Sequence, residues 1–517
     1  MRALLVHPEF PRTYWGFQYG LEAIGKRASL PPLGLITVAA LLPQTWDFRL
    51  ADLNIKPLDD EDLRWAEIVL VGGMLVQEPS MHQVLERARA LGRRTVVGGP
   101  AASTSPERFP DADVVFGGEA EGRVEELLRL IEGRTPGLSP LRKDKRPDVR
   151  TSPIPRHDLL DVREYATMSI QYSRGCPYMC EFCDIIEIFG RVPRMKTSAQ
   201  ILAEFDALRA FGWRGSVFFV DDNFIGNIKE VRKLLPEIRA WQEAHGWPFE
   251  LYTEASVNLA GDDKLVADLV AAGFTSVFLG IETPSPEALR ETKKTQNLRM
   301  DLVEAVDKLT RAGLEVMAGF IVGFDSDDAS AFEAQRAFLD QTPIPLAMVG
   351  ILTALPDTQL WRRLQAEGRL RDHSDGDAFA RTNFDTRLDE ETLLRGYADL
   401  LAYLYSPAGY LRRCQTYLDL APEPMTMALR EGSVRIFLRA IWRLGVLSPN
   451  RRVFWSLLAR AARRSRKQIP WAVEKAIQAE HFFRYTREDV LPRLQQGITA
   501  VRAERQRPAP ALVPAMV

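Results

Sequence analysis

The chain has 517 residues, a formal net charge of -2, and 46% hydrophobic and 26% charged residues. That length accommodates roughly two to four globular domains, and a near-neutral total gives no bulk charge for nucleic-acid binding. Cysteine is scarce: three of the four lie between Cys176 and Cys183 and the fourth is Cys414, which excludes a secreted disulfide scaffold. No uncharged apolar run has the length of a membrane span, and MRALLVHPEFPRTYW lacks the apolar core of a signal peptide. These features lead us to expect a soluble cytoplasmic enzyme.

Residues 1–132 alternate short apolar runs with helical patterns. Strands are expected at Ala3–His7, Phe48–Leu53, Ile68–Gly72, Thr95–Gly98 and Asp113–Phe116, with helices at Gly34–Leu42, Ser80–Leu91 and Glu121–Ile131. This is the pattern of an α/β, doubly wound (flavodoxin-like) parallel sheet, whose ligands bind at the carboxyl ends of the strands. Those ends carry Gly72-Gly73-Met74, Gly98-Gly99-Pro100 and Gly117-Gly118-Glu119. Glycines there let backbone approach a ligand, or simply make the turns. Residues 133–165 are rich in Pro, Arg, Lys and Asp and read as a linker.

From residue 166 to 370 the alternation restarts. Six strands are expected, at Ser169–Ser173, Ser216–Val220, Glu250–Thr253, Ser276–Gly280, Glu315–Ile321 and Met348–Leu352, each followed by a helical stretch. Six βα units predict a partial (β/α)6 TIM-like barrel with its chemistry at the carboxyl ends of the strands. Residues 371–505 read as a helical C-terminal domain, and the Pro- and Ala-rich 506–517 as a disordered tail.

After the first barrel strand comes RGCPYMCEFCD, which spaces Cys176, Cys180 and Cys183 by three and two intervening residues. Thiolates are the preferred ligands of iron–sulfur clusters, and three of them on four irons leave one iron open. Structural zinc would want a fourth ligand, and neither a second cysteine pair nor a histidine lies nearby.

In this spacing, with the aromatic Phe182 before the third cysteine, CPYMCEFC resembles the C-x3-C-Φ-x-C signature of the radical SAM superfamily. The resemblance implies a [4Fe-4S] cluster whose open iron chelates S-adenosyl-L-methionine, and a 5′-deoxyadenosyl radical that abstracts hydrogen from substrate. It also implies cofactor contacts at the strand ends. Asp221 and Asp222 match the element that holds the methionyl amino group, and a carboxylate suits an ammonium group there. Glu254 follows the third strand and Glu282 closes the fourth. Gly319 and Gly323, in GFIVG, match the adenine-side element. No catalytic acid or base is identified, and Tyr172, His157 and Tyr252 read as packing residues.

A doubly wound domain before such a barrel resembles the cobalamin (B12)-binding subfamily of radical SAM proteins. PPLGLITVAALLP, VVGGPAAS and GGEAE look like its recurring segments. The resemblance implies that cobalamin lies against Gly72, Gly73, Met74, Gly98, Gly99, Pro100, Gly118 and Glu119. In DLNIKP, Asn54 stands where better-known corrinoid domains have histidine. The lower face of cobalt is then empty, taken by water, or met by a side chain near Met74–Gln77. A methylthiotransferase is excluded because residues 1–175 contain no cysteine for a second cluster.

The resemblance thus implies a C-methyltransferase acting on an unactivated carbon of a small molecule or lipid. A non-methylating B12-dependent cyclase or rearrangement enzyme is the alternative. Either needs an external electron donor of the flavodoxin or ferredoxin kind, and no nucleic acid. Arg430–Lys467 is basic, with Glu431 its only acid, and is studded with Phe437, Leu438, Ile441, Trp442, Phe454 and Trp455. It reads as a helical cap docked on the barrel, or as an amphipathic surface on the inner face of a membrane. The helical extension is similar to that of proteins related to hopanoid methylases.

Overall fold

The computed structural model describes residues 1–133, 137–374, 376–423 and 433–506; the expected disordered tail beyond residue 506, along with Arg430 and Glu431, lies outside them. The first sheet comprises β1 (Arg2–His7), β2 (Asp47–Asp52), β3 (Ile68–Gly72), β4 (Arg94–Gly98), β5 (Val114–Phe116) and β6 (Gly137–Ser139). All pairs are parallel, in the order β2-β1-β3-β4-β5-β6. Helices cover both faces, so β3 reads as an almost unbroken apolar run, Ile68-Val69-Leu70-Val71, buried throughout. The order turns back between β1 and β3, the position where open sheets form a ligand crevice.

Five strands were expected and six are present. The sixth comes from the segment read as a linker, where Gly137–Ser139 pairs with Val114–Phe116. A three-residue strand with a single leucine carries no periodicity to detect.

The second sheet is built from β7 (Met168–Ile170), β10 (Gly215–Phe219), β11 (Phe249–Ala255), β12 (Phe274–Glu282), β13 (Glu315–Val322) and β14 (Ala347–Ile351). These six parallel strands run β14-β13-β12-β11-β10-β7, the expected open barrel. Between β7 and β10 a short antiparallel clasp, β8 (Ser173–Arg174) with β9 (Arg194–Met195), pinches the base of the cysteine loop.

The edge strand β14 is covered by the helix Glu390–Leu404 and its extension. Tyr397 donates to the Val349 carbonyl at 2.7 Å, and Tyr405 donates to the Ala347 carbonyl. Satisfying an edge in this way removes a template for unwanted strand pairing. The remaining C-terminal helices, among them Pro407–Leu420, Arg451–Arg464, Ile469–Tyr485 and Leu491–Gln506, share one continuous apolar core with the barrel.

Candidate active site

The cysteine loop begins at Gly175, whose φ of +96° and a Cβ position 2.8 Å from the Gly190 carbonyl oxygen admit only glycine. Cys176 N–H then donates to that carbonyl, and Cys183 N–H to the Cys180 carbonyl, so the loop curls back on itself. All three thiols are free; Cys180 is buried, and Cys176 and Cys183 are partly so.

Two side-chain amides address the sulfurs: Asn223 Nδ2 lies 3.8 Å from Cys176 Sγ and Gln296 Nε2 lies 3.7 Å from Cys180 Sγ. The Gln296 Oε1 atom is buried with no partner among the described residues. Burial pushes the Cys176 and Cys183 thiols above their usual range, while Lys294 draws both down. Among the described residues no three His, Cys, Asp or Glu side chains converge on a single-ion position. Thiolates that each take a different iron of a cluster need not converge, and this all-sulfur set with amide donors to sulfur suits an iron–sulfur cluster.

Carboxylates surround the loop. Asp221, expected at the methionyl amino group, spends both oxygens on the strand end before the cysteines. It accepts from Tyr172 N–H at 2.8 Å, Ser173 N–H at 2.7 Å and Ser173 Oγ at 2.6 Å. Asp222 accepts from Gly175 N–H at 2.8 Å. Burial pushes these two carboxyls up to about 7 and about 6. Glu254 makes no hydrogen bond to a described residue, and burial, then Asp222 and Asp221, push it up to about 8.

Glu282 lies at the end of β12 in the left-handed region, φ +64°, an uncommon conformation for a residue with a Cβ. Asn297 Nδ2 holds this turn through the carbonyls of Gly280 and Ile281, at 3.0 and 2.9 Å. The turn aims Glu282 Oε1 at Lys294 Nζ, 2.6 Å away. Despite burial, Glu282 and then Cys180 hold the Lys294 ammonium above its ordinary range. A cation is thereby kept beside all three sulfurs. Lys294, Asn223 and Gln296 were not foreseen as site residues from sequence, although Asn223 directly follows Asp221-Asp222.

Phe182 packs on Phe324, just past β13. Gly319 leaves room for Phe278, whose Cζ would stand 2.8 Å from a Cβ there, and Gly323 adopts φ +97°. Below these groups the inward face of the barrel carries aromatic side chains. Phe218 stacks on Tyr252 at 4.6 Å, and Trp15, arriving from the β1 loop, meets Phe278 edge-on at 4.9 Å. On the same face β13 begins with Glu315, which meets Lys475 Nζ at 2.6 Å and accepts from Trp471 Nε1–H. The helix Ile469–Tyr485 thus closes the amino end of the barrel.

The glycine turns of the first sheet gather at its carboxyl edge. Gly99 (φ +86°) packs its backbone on Gly73, with its Cβ position 3.1 Å from Gly73 N and O, and Pro100 and Gly98 flank it. Gly118 adopts φ +83°, a conformation that favours glycine, and Leu141 Cδ1 lies 2.9 Å from its Cβ position. Gly72 sits against Leu35, while Met74 projects outward, 51% exposed. Asn54, in the place of the corrinoid histidine, donates to the Pro8 carbonyl and to Asp52 and accepts from Phe10 N–H, so it pins the β1 loop.

Glu119, expected against the cofactor, is committed elsewhere: its carboxylate pairs with Arg174 at 2.7 Å and Arg194 at 3.0 Å. Glu121 pairs with the same Arg174 at 2.8 Å. The carboxyl edge of the first sheet is therefore bolted to the residue two before Cys176.

An open six-stranded barrel with a three-cysteine loop after its first strand defines a radical SAM enzyme. The sequence matches the radical SAM superfamily over residues 170–337 and a domain of unknown function, DUF4070, over 358–492. It is 44% identical to an uncharacterized methyltransferase, sll1242, of Synechocystis, covering 94% of this chain and 92% of that one. It is 34% identical to the hopanoid C-2 methylase of Rhodopseudomonas palustris, covering 94% of each. The fold resembles the cobalamin-dependent radical enzyme OxsB (TM-score 0.60, 14% identity, 97% of this chain and 84% of that one) and the methyltransferase TsrM of Kitasatospora setae (0.59, 16%, 92% and 99%). The chain belongs to the radical SAM superfamily, in the methyltransferase family that holds the Synechocystis and Rhodopseudomonas proteins. Its cofactors include a [4Fe-4S] cluster and S-adenosylmethionine.

Proposed function

We propose that this enzyme is a cobalamin-dependent C-methyltransferase acting on an unactivated carbon of an apolar, lipid-like substrate. When bound, the cluster and S-adenosylmethionine supply hydrogen abstraction and cobalamin supplies the methyl group. Cys176, Cys180 and Cys183 hold the cluster, with Asn223 and Gln296 donating toward sulfur. Lys294, fixed by Glu282, balances the negative charge of the thiolates. Asp222 and Glu254 receive the methionyl ammonium group, and Gly319 and Gly323 offer backbone to the adenine. Asp221 orients the loop rather than the ligand.

The glycine edge of the first sheet receives cobalamin between Gly72–Met74, Gly98–Pro100 and Gly118. The observation that carries this reading is the partly buried Arg174, which ties that edge to the cysteine loop through Glu119 and Glu121. Radical generation and methyl donation must meet at one carbon, and this tie holds their two sites in fixed register. Phe218, Tyr252, Phe278 and Trp15 give the barrel interior an aromatic wall suited to a hydrocarbon skeleton, in keeping with the relative named as a hopanoid methylase. A reduced flavodoxin- or ferredoxin-like donor supplies the electron.

The test is anaerobic purification with iron and cobalt analysis, followed by incubation with S-adenosylmethionine, reductant and polycyclic lipid. About four irons and one cobalt per chain, with S-adenosylhomocysteine and 5′-deoxyadenosine both formed, support the reading. 5′-Deoxyadenosine alone would point to a non-methylating radical enzyme; iron without cobalt would remove cobalamin.

A further inference from the structure

We propose that the helix Ser433–Ala440, continuing through Ile441–Leu447, docks this enzyme on an anionic membrane surface. One face of this rod belongs to the protein core: Ala440, Leu444 and Gly445 are buried, and Phe437 and Ile441 pack beside them. The opposite face is apolar and bare. Val434 is 68% exposed, Leu438 59%, Trp442 59% and Leu447 58%. The first three recur every four residues and so form one stripe. Trp455, on the next helix, adds a half-exposed indole whose N–H donates to the Gly445 carbonyl at 2.9 Å. Scattered surface apolar residues need no explanation, but a continuous stripe ending in two tryptophans does.

Charge identifies the occupant. Between Ser433 and Lys467 every charged side chain is Arg or Lys. Arg435, Arg443, Arg451 and Arg452 form no ion pair with a described residue, whereas Arg460 and Lys467, farther along, pair with Asp419 and Glu423. Unpaired arginines bordering an apolar stripe with tryptophans match the headgroup level of an anionic bilayer. A second copy of this chain would set these arginines against one another across the contact. No helix among the described residues is long and apolar enough to cross a membrane, so the contact is a surface one.

The rod is tied to the rest of the enzyme through the β1 loop. Arg439 reaches the Ile24 carbonyl at 3.4 Å, at the end of the helix that follows Trp15. A membrane-docked rod would thus lie beside the segment that reaches the barrel interior. The proposal stands without the cobalamin reading, and its test is binding rather than turnover.

The holoenzyme is floated with vesicles of phosphatidylcholine alone or with 30% phosphatidylglycerol, about a composition used to mimic anionic leaflets. Co-flotation with the anionic vesicles, at least tenfold above the neutral ones and lost at high salt, is the expected result. Leu438→Glu/Trp442→Glu should abolish it while keeping the cluster spectrum and thermal midpoint. Arg435→Gln/Arg443→Gln/Arg451→Gln should weaken it severalfold. No flotation of the wild type, or equal flotation of the Leu438/Trp442 variant, would overturn the proposal. So would a dimer in solution that this variant dissolves without any vesicle binding.

Discussion

Arg174 Nη2 lies 2.8 Å from Glu121 Oε1, so the first sheet grips the polypeptide just ahead of the cluster ligands. Burial works against the charged form of Glu121, but Arg174 and Ser152 hold its carboxyl at about 2. A carboxyl depressed from the ordinary ~4.3 stabilises the fold above that value and loses the contribution as pH falls toward 2, on the order of 3 kcal/mol in all. Stability is therefore expected to fall as pH drops from about 4.5 to about 2. Arg174→Met should cost about 3 kcal/mol at pH 7, since it strands two buried carboxylates. Denaturant titrations at both pH values check this, and an unchanged acid slope in Arg174→Met/Glu121→Gln would refute it.

Glu254 has the opposite sign. Its carboxyl sits at about 8, above the unfolded value, so its stabilising share is complete below about pH 4 and is lost as pH rises through 8. In cofactor-free protein, Glu254→Gln is expected to raise the thermal midpoint at pH 8.5 and leave it nearly unchanged at pH 4. The same variant should cleave S-adenosylmethionine at least tenfold more slowly. A gain in stability at the expense of activity marks a group strained for function; a loss of both would not fit.

Lys475 and Glu315 face each other in the closed end of the barrel, 2.6 Å apart and both buried. Lys475→Met leaves the carboxylate alone and should destabilise by about 3–5 kcal/mol, while Lys475→Met/Glu315→Leu should recover most of it. Urea denaturation of the two variants decides the point.

Gly280 leaves space for a pair rather than for a turn. A Cβ there would stand 2.5 Å from Glu282 Oε1 and 2.6 Å from Lys294 Nζ. Gly280→Ala is expected to part them, keep iron content, and slow reductive cleavage of S-adenosylmethionine about tenfold, as rapid-quench assays with cluster spectroscopy would reveal. Loss of the iron itself would instead make the pair a folding element.

The cysteine triplet was legible because its meaning lies in spacing along eight residues of chain, and the two βα series because buried parallel strands repeat. Lys294 and Gln296, from the connection after β12, and Asn223, from the end of β10, were not, since they reach the cluster loop from strands far along the chain. The ion pairs of Glu119 were hidden for a related reason. Its place beside Gly118 suggested a ligand, and only tertiary structure reveals Arg174 and Arg194 waiting for it. Gly99 could be read as a ligand contact or a turn; its packing on Gly73 gives it a purely steric reason as well.

The floor of the barrel is supplied by Trp471 and Lys475, on a helix more than a hundred residues beyond its last strand. Depth and chemistry are thus encoded in separate stretches of the gene. On the proposed reading, in which the barrel interior receives the substrate, substitutions on that one helix would reshape its closed end while the cysteine loop stays untouched, and what the enzyme accepts would change without any change in how it makes a radical.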